Sequence, residues 1–156
     1  MDADRILQPG NKKELLDLLA SVTDVFPVAG GTDAIIRLRN DRYTPTTILD
    51  LSHLGFMQII QPVMEGLLIG AGCSMATICT HPLVLRDAPA LATAASNVGS
   101  TQIRKLATIG GNVATAAQCA DTIPALIAYD AVAIILRGDG SRSEEHTSEL
   151  QSPNTI

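Results

Sequence analysis

Two glycine pairs carry the chemistry open to this sequence: Ala29-Gly30-Gly31-Thr32-Asp33 and Thr108-Ile109-Gly110-Gly111-Asn112. Each follows an apolar stretch able to run extended, and each is closed by small polar residues. Glycine lets a backbone turn sharply and lets a ligand approach bare N–H groups. A row of such groups forms a nest for an anion, above all a phosphate. Thr32 and Thr108 add hydroxyls. Asp33 would repel a phosphate if it pointed inward, so it is expected to cap the next segment or to accept from a sugar-like hydroxyl. Alone, the first turn reads as an ordinary strand-to-helix connection. Two such turns suggest two parts of one fold converging on a diphosphate.

The second pair sits in a longer run, Gln102-Ile103-Arg104-Lys105-Leu106-Ala107-Thr108-Ile109-Gly110-Gly111-Asn112, followed by Cys119-Ala-Asp-Thr-Ile-Pro-Ala-Leu126. These motifs resemble the AGGTD and QIRNxATIGGN signatures of the FAD-binding subunits or domains of the molybdenum hydroxylases, the family of xanthine, carbon monoxide and nicotinate dehydrogenases. Lys105 stands where Asn is usual. The resemblance runs from about Lys12 to Ser141. It implies an α+β fold of the p-cresol methylhydroxylase (PCMH) type, in two subdomains: a small βαβ-type unit over residues 1–53, and an antiparallel sheet with helices over residues 54–141, incomplete at its C-terminus. It implies FAD held by Val28, Ala29, Gly30, Gly31, Thr32 and Asp33 on one side and Thr108, Ile109, Gly110, Gly111 and Asn112 on the other. Asp121 matches a family carboxylate that contacts the flavin cofactor, and reads equally well as a helix cap. Many relatives carry Ser-Pro just before this point, where this chain has Ala117-Gln118.

The resemblance also implies partners. A molybdopterin-binding subunit would hold the molybdenum cofactor, a second subunit would hold [2Fe-2S] clusters, and electrons would pass through FAD to an acceptor such as NAD. Two other readings stay open: a fragment that binds nothing, and a phosphate- or nucleotide-binding module without redox function.

No acid, base or nucleophile of a protein-based reaction is evident. His53 and His81 lack acidic or nucleophilic neighbours in sequence and read as structural. Gly70-Ala71-Gly72 imitates a dinucleotide-binding turn, but Met75 occupies the third glycine position, so a plain strand-end turn is expected. Arg104 has three expected uses: the diphosphate, a partner protein, or a surface ion pair. The three cysteines, Cys73, Cys79 and Cys119, form no CxxC pair. That argues against a disulfide framework, a zinc site or a resident iron–sulfur centre, and Cys119 reads as an inert buried thiol.

Composition bounds the rest. Hydrophobic residues make up 46% and aromatics 3% of 156 residues, with no Trp, so aliphatic side chains must fill the core. A net charge of −5 argues against a nucleic-acid or anionic-membrane surface and leaves phosphate binding to backbone N–H groups. The N-terminus shows no apolar signal region, and no apolar run reaches transmembrane length, so a cytoplasmic location is expected.

The elements must present the two turns. Asn11 caps a predicted helix over Lys12–Ala20, with Leu15, Leu16, Leu18 and Leu19 on one face. Strands are predicted at Phe26–Ala29 and Thr46–Asp50, with a short amphipathic segment at Ala34–Leu38 between them. Strands at Met57–Gln61 and Leu67–Ala71 form a hairpin around Glu65-Gly66. Ser74 caps a helix over Met75–Thr80 that His81-Pro82 ends. Helices follow at Ala88–Asn97, stopped by Gly99, and at Thr122–Tyr129 with Asp121 as cap. Ala131–Leu136 is the clearest strand, and Gly138-Asp139-Gly140 is a turn whose partner strand should come next. From Arg142 the chain instead turns abruptly polar and resembles the in-frame translation of a sequencing-library adapter. Residues 142–156 are therefore expected to be a non-native, disordered tail that leaves the strand unpaired.

Overall fold

Asn11 starts the first helix as its side chain demands. Its Oδ1 accepts the Glu14 N–H at 3.0 Å, while Glu14 Oε2 accepts the Gly10 N–H at 2.7 Å. Two orphan donors at the helix start are thereby satisfied. The computed structural model describes residues 5–40, 45–116 and 120–147. The helix, α1, spans Lys12–Ser21 and connects strand β1 (Arg5–Leu7) to β2 (Val25–Val28). A short α2 (Ala34–Arg39) then leads to β3 (Thr47–Asp50), and the three strands pair in parallel in the order β1-β3-β2. Parallel neighbours require crossovers, and α1 and α2 supply them. The strand β1 was not legible in sequence, being three residues long with a charge at its start. Leu15, Leu49 and Leu54 form the buried centre here, with Leu18, Leu19, Phe56 and Met57 packed on it, while Leu16 stays half-buried outside it.

Asp50 ends β3 and ties its surroundings together. Its carboxylate accepts from Ser52 N–H at 2.9 Å and from Gln8 Nε2 at 2.8 Å. Burial pushes this carboxyl up, but the hydrogen bonds from Ser52 and Gln8, with His53 nearby, outweigh it and hold it below its usual value. With the folded value lower than the unfolded one, Asp50 stabilises the fold fully above the unfolded value of about 3.9. That contribution is lost as pH falls through the folded value. Asp50→Asn should therefore lower the melting temperature at pH 7 and shrink the difference between melts at pH 7 and pH 3.

Beyond a short 3-10 turn at Gly55–Met57, β4 (Ile60–Val63) and β5 (Gly66–Ile69) form the expected hairpin. The first of these strands starts three residues later than predicted. The carbonyls of Met57 and Ile59 are engaged instead by Gly72 and Gly70 N–H groups, at 2.7 and 2.8 Å. Ser74 caps α3 (Met75–Thr80) as predicted, accepting from Thr77 N–H at 3.1 Å. His81 both ends α3 and begins an unpredicted helix, α4 (Pro82–Asp87), its Nδ1 accepting the Leu83 N–H at 3.3 Å. The alanine-rich α5 (Pro89–Asn97) ends before Gly99, whose φ of +48° suits glycine. A second unpredicted helix, α6 (Thr101–Leu106), is capped by Ser100. Then come α7 (Ile109–Thr115) and α8 (Thr122–Ala128). Met75, Ile78, Val84, Leu91, Ala95, Ala107 and Ile109 make the main core. Small residues on α5 let α3 and α8 approach it closely. Burial pushes the Cys73 thiol of this core up, which keeps it protonated and inert.

The chain next forms β6 (Val132–Leu136), which pairs antiparallel with β7 (Arg142–His146). This corrects the expectation of an unpaired strand, and of disorder over residues 142–147. The hairpin closes through backbone bonds that no composition argument registers. Arg137 N–H donates to Ser141 O at 3.0 Å, Asp139 Oδ1 accepts the Ser141 N–H at 2.8 Å, and Gly140 takes φ +79°. A ladder needs N–H and C=O groups, not apolar side chains, and the half-buried Ser143 and Glu145 alternate with exposed neighbours. Gly138 seats the turn on α1, since a Cβ there would lie 2.7 Å from the Leu19 carbonyl. Residues 148–156 lie outside the described residues. The likeness of this segment to a translated adapter concerns its origin, which the pairing leaves untouched.

Candidate cofactor site where two glycine motifs meet

The first motif leaves β2 at Val28, whose carbonyl accepts the Leu51 N–H at 2.8 Å. The chain then runs through Ala29, Gly30, Gly31, Thr32 and Asp33 into α2. Gly31 sits at φ +71°, a region that side-chain-bearing residues avoid. The carbonyls of Gly31 and Asp33 accept from Ile35 and Arg37, at 3.1 and 3.0 Å, and so begin the helix. The N–H groups of Gly30, Gly31, Thr32 and Asp33 meet no acceptor among the described residues. This is a row of open donors. The exposed Asp33 makes no capping hydrogen bond, which removes the capping role expected of it.

The second motif is built differently from the strand-and-turn that the sequence predicts. It follows α6, touches the 73–75 segment through a single antiparallel bridge between Ser74 and Thr108, and opens α7. The pairing is fixed by Met75 N–H to Ala107 O at 2.9 Å and Ile109 N–H to Cys73 O at 3.0 Å. Thr108 Oγ1 accepts the Gly111 N–H at 3.2 Å, and Gly110 N–H donates to Ala71 O at 2.8 Å. Both glycine N–H groups are thus engaged within the fold, so the expectation that they serve as free phosphate donors is corrected. Gly110 is there for packing: a Cβ would lie 2.7 Å from Ala71 Cβ. Gly111 has only Thr108 Oγ1, at 3.0 Å, near its Cβ position and faces open space.

The two motifs touch. A Cβ on Gly30 would fall 1.9 Å from the Leu106 carbonyl oxygen, so backbone rests on backbone. Gly70 makes the same kind of contact with Met57, its Cβ position lying 2.2 Å from that carbonyl oxygen. Gly70-Ala71-Gly72 is therefore a strand-end turn, as predicted, and also the seat on which Gly110 rests. Downstream, Arg37 Nη2 on α2 reaches Thr115 O at the end of α7, at 3.4 Å. Of the uses expected of Arg104, the surface ion pair does not form among the described residues. The Arg104 guanidinium donates to Val98 O and Gly99 O at 3.2 and 3.0 Å and to Thr101 Oγ1 at 3.2 Å, which ties down the loop before its own helix. Asp121 precedes α8, exposed and without a capping bond. Ala117, Gln118 and Cys119 lie outside the described residues. Asn112 Oδ1 accepts from the buried Thr122 hydroxyl, a partner the sequence reading missed because Thr122 looked like an ordinary helix-start residue.

Residues 2–154 match the family model described as the FAD binding domain in molybdopterin dehydrogenase. The chain belongs to that family. Over 142 residues it is 36% identical to the nicotinate dehydrogenase FAD-subunit of Eubacterium barkeri, covering 89% of this chain and 48% of that protein. It is also 36% identical over 121 residues to the xanthine dehydrogenase FAD-binding subunit of Escherichia coli O157:H7, covering 76% of this chain and 41% of the relative. The chain thus spans less than half the length of these relatives. Among solved structures, a carbon monoxide dehydrogenase from Hydrogenophaga pseudoflava superposes with a TM-score of 0.85 at 24% identity. That match covers 92% of this chain and 50% of the other. This likeness establishes the fold of this FAD-binding domain family, as the two motifs implied.

Proposed function

We propose that this chain holds FAD within a molybdenum hydroxylase. The observation that carries the reading is the row of open N–H donors from Gly30 to Asp33, pressed backbone-to-backbone against the second motif at Leu106. In an acidic chain, neutral donors of this kind suit a diphosphate, because they bind the anion without needing nearby cations. Gly30, Gly31 and Thr32 hold the diphosphate on one side, with the Thr32 hydroxyl adding a bond. Thr108, Ile109, Gly110, Gly111 and Asn112 wall the other side, where Gly111 leaves room and Asn112 contributes its side-chain amide. Val28 and Ala29 deliver the chain to the loop. Asp33 and Asp121, exposed and without capping bonds, accept hydrogen bonds from ribityl or ribose hydroxyls.

When bound, FAD takes electrons singly from [2Fe-2S] clusters and passes a pair to an acceptor such as NAD. The molybdenum cofactor and the clusters belong to a molybdopterin-binding subunit and a [2Fe-2S] subunit, and substrate choice belongs to the former. The residues of this chain bind and orient the cofactor. The division at residues 53 and 54 and a cytoplasmic location form part of the same reading. Among the described residues no helix is long and apolar enough to cross a membrane.

Gly111 tests this reading cleanly, because it is exposed and a Cβ there would approach only the Thr108 hydroxyl oxygen, at 3.0 Å, among the described residues outside its own helix backbone. Gly111→Val should keep its circular dichroism and melting temperature within a few degrees, yet fail to retain FAD on gel filtration where the unmodified chain retains it. Stoichiometric flavin absorbance on a folded Gly111→Val protein would remove the second motif from the site.

A further inference from the structure

Thr122, the first residue of α8, is completely buried. Its hydroxyl donates to Asn112 Oδ1 on α7. A carboxamide carries its acceptor and its two donors on opposite sides, so engaging Oδ1 fixes the direction of Nδ2. That Nδ2 meets no acceptor among the described residues, and no buried side-chain nitrogen or oxygen there lacks a partner, so the group is open to solvent or a ligand. The Asn112 backbone N–H is already taken by Thr108 O at 3.0 Å. The side-chain amide is therefore the donor that Asn112 has left to give.

We propose that Thr122 is a positioning residue: by holding Oδ1 it turns Asn112 Nδ2 toward an oxygen of the FAD diphosphate. The inference rests on the FAD reading above and adds a residue outside both glycine motifs. It separates the two sides of the site by kind. The first motif offers backbone donors fixed by chain geometry, whereas the second offers a side-chain donor fixed by a neighbour on another helix. Without Thr122 the amide rotates freely, and binding must order it again.

The test is titration of the 156-residue chain with FAD, followed by flavin fluorescence, and with ADP by calorimetry, with thermal melts alongside. Thr122→Val should weaken both ligands roughly five- to tenfold, the loss expected for one well-aligned hydrogen bond. Thr122→Ser should restore both affinities. In an Asn112→Ala background, Thr122→Val should cost nothing further, because its effect travels through that amide. Wild-type affinity in Thr122→Val, additive losses in the double variant, or a loss for FAD without one for ADP would each overturn the proposal. If Thr122→Val fails to fold, full affinity in Asn112→Ala overturns it. A wild-type chain that binds no FAD overturns the functional reading and this inference together, whereas FAD binding that ignores Thr122 overturns this inference alone.

Discussion

Gly30→Ala, the smallest possible side-chain addition, should destabilise this protein by about 3 kcal/mol, the upper end of what overpacking usually costs. The added carbon would sit 1.9 Å from a backbone carbonyl oxygen, and no rotamer change can move a backbone atom aside. The loop must therefore lift off Leu106, and FAD retention should be lost with it. Gly111→Ala provides the contrast. Its new carbon meets one hydroxyl at 3.0 Å, and alanine favours a helix over glycine by up to about 1 kcal/mol. Urea melts of the two variants should shift in opposite directions, or leave Gly111→Ala unchanged. Equal destabilisation of both would mean that the backbone contact at Gly30 does not set the junction.

Cutting the chain after Ser141 should lower its stability by about 3 kcal/mol, the order of magnitude for losing a five-residue ladder. In a chain of this size that is roughly 6–12 °C in melting temperature. The cut removes all pairing of Val132–Leu136 and the bond from Thr147 N–H to Ala131 O at 3.1 Å. It also exposes both edges of β6, with Val132 and Ile134 already facing solvent, so light scattering on heating should rise earlier. An unchanged melt would restore the disordered tail and count against the pairing of β6 with β7.

The sequence was most legible where a local rule acts alone. Asn11 and Ser74 announce their helices by capping chemistry, Gly99 stops one, and Ala131–Leu136 reads as a strand from its β-branched run. Of the missed helices, which include α7 over the second motif, α4 and α6 are each six residues long. Their caps, His81 and Ser100, identify themselves only once the chain around them is folded. The site was half legible. The motifs and their convergence could be read, but the work of the glycines could not. A glycine that frees an N–H and one that makes way for a neighbouring carbonyl look the same in sequence, and Gly110 belongs to the second kind. Thr122 was invisible for a related reason. Its importance comes from a side chain ten positions away, which no local period reports.

The contacts of Gly30 with Leu106, Gly110 with Ala71, and Gly70 with Met57 also have a mechanical consequence. Side chains act as compliant springs between elements, since they change rotamer and absorb a displacement. Here the springs are missing, and main chain bears directly on main chain at three successive joints. A push of a few tenths of an ångström at the 57–58 turn would arrive at the 29–33 loop nearly undiminished, as it does through any close-packed, poorly compressible contact. The two glycine motifs therefore move as one stiff linkage, and their spacing is set by backbone dimensions more than by the choice of side chains around them.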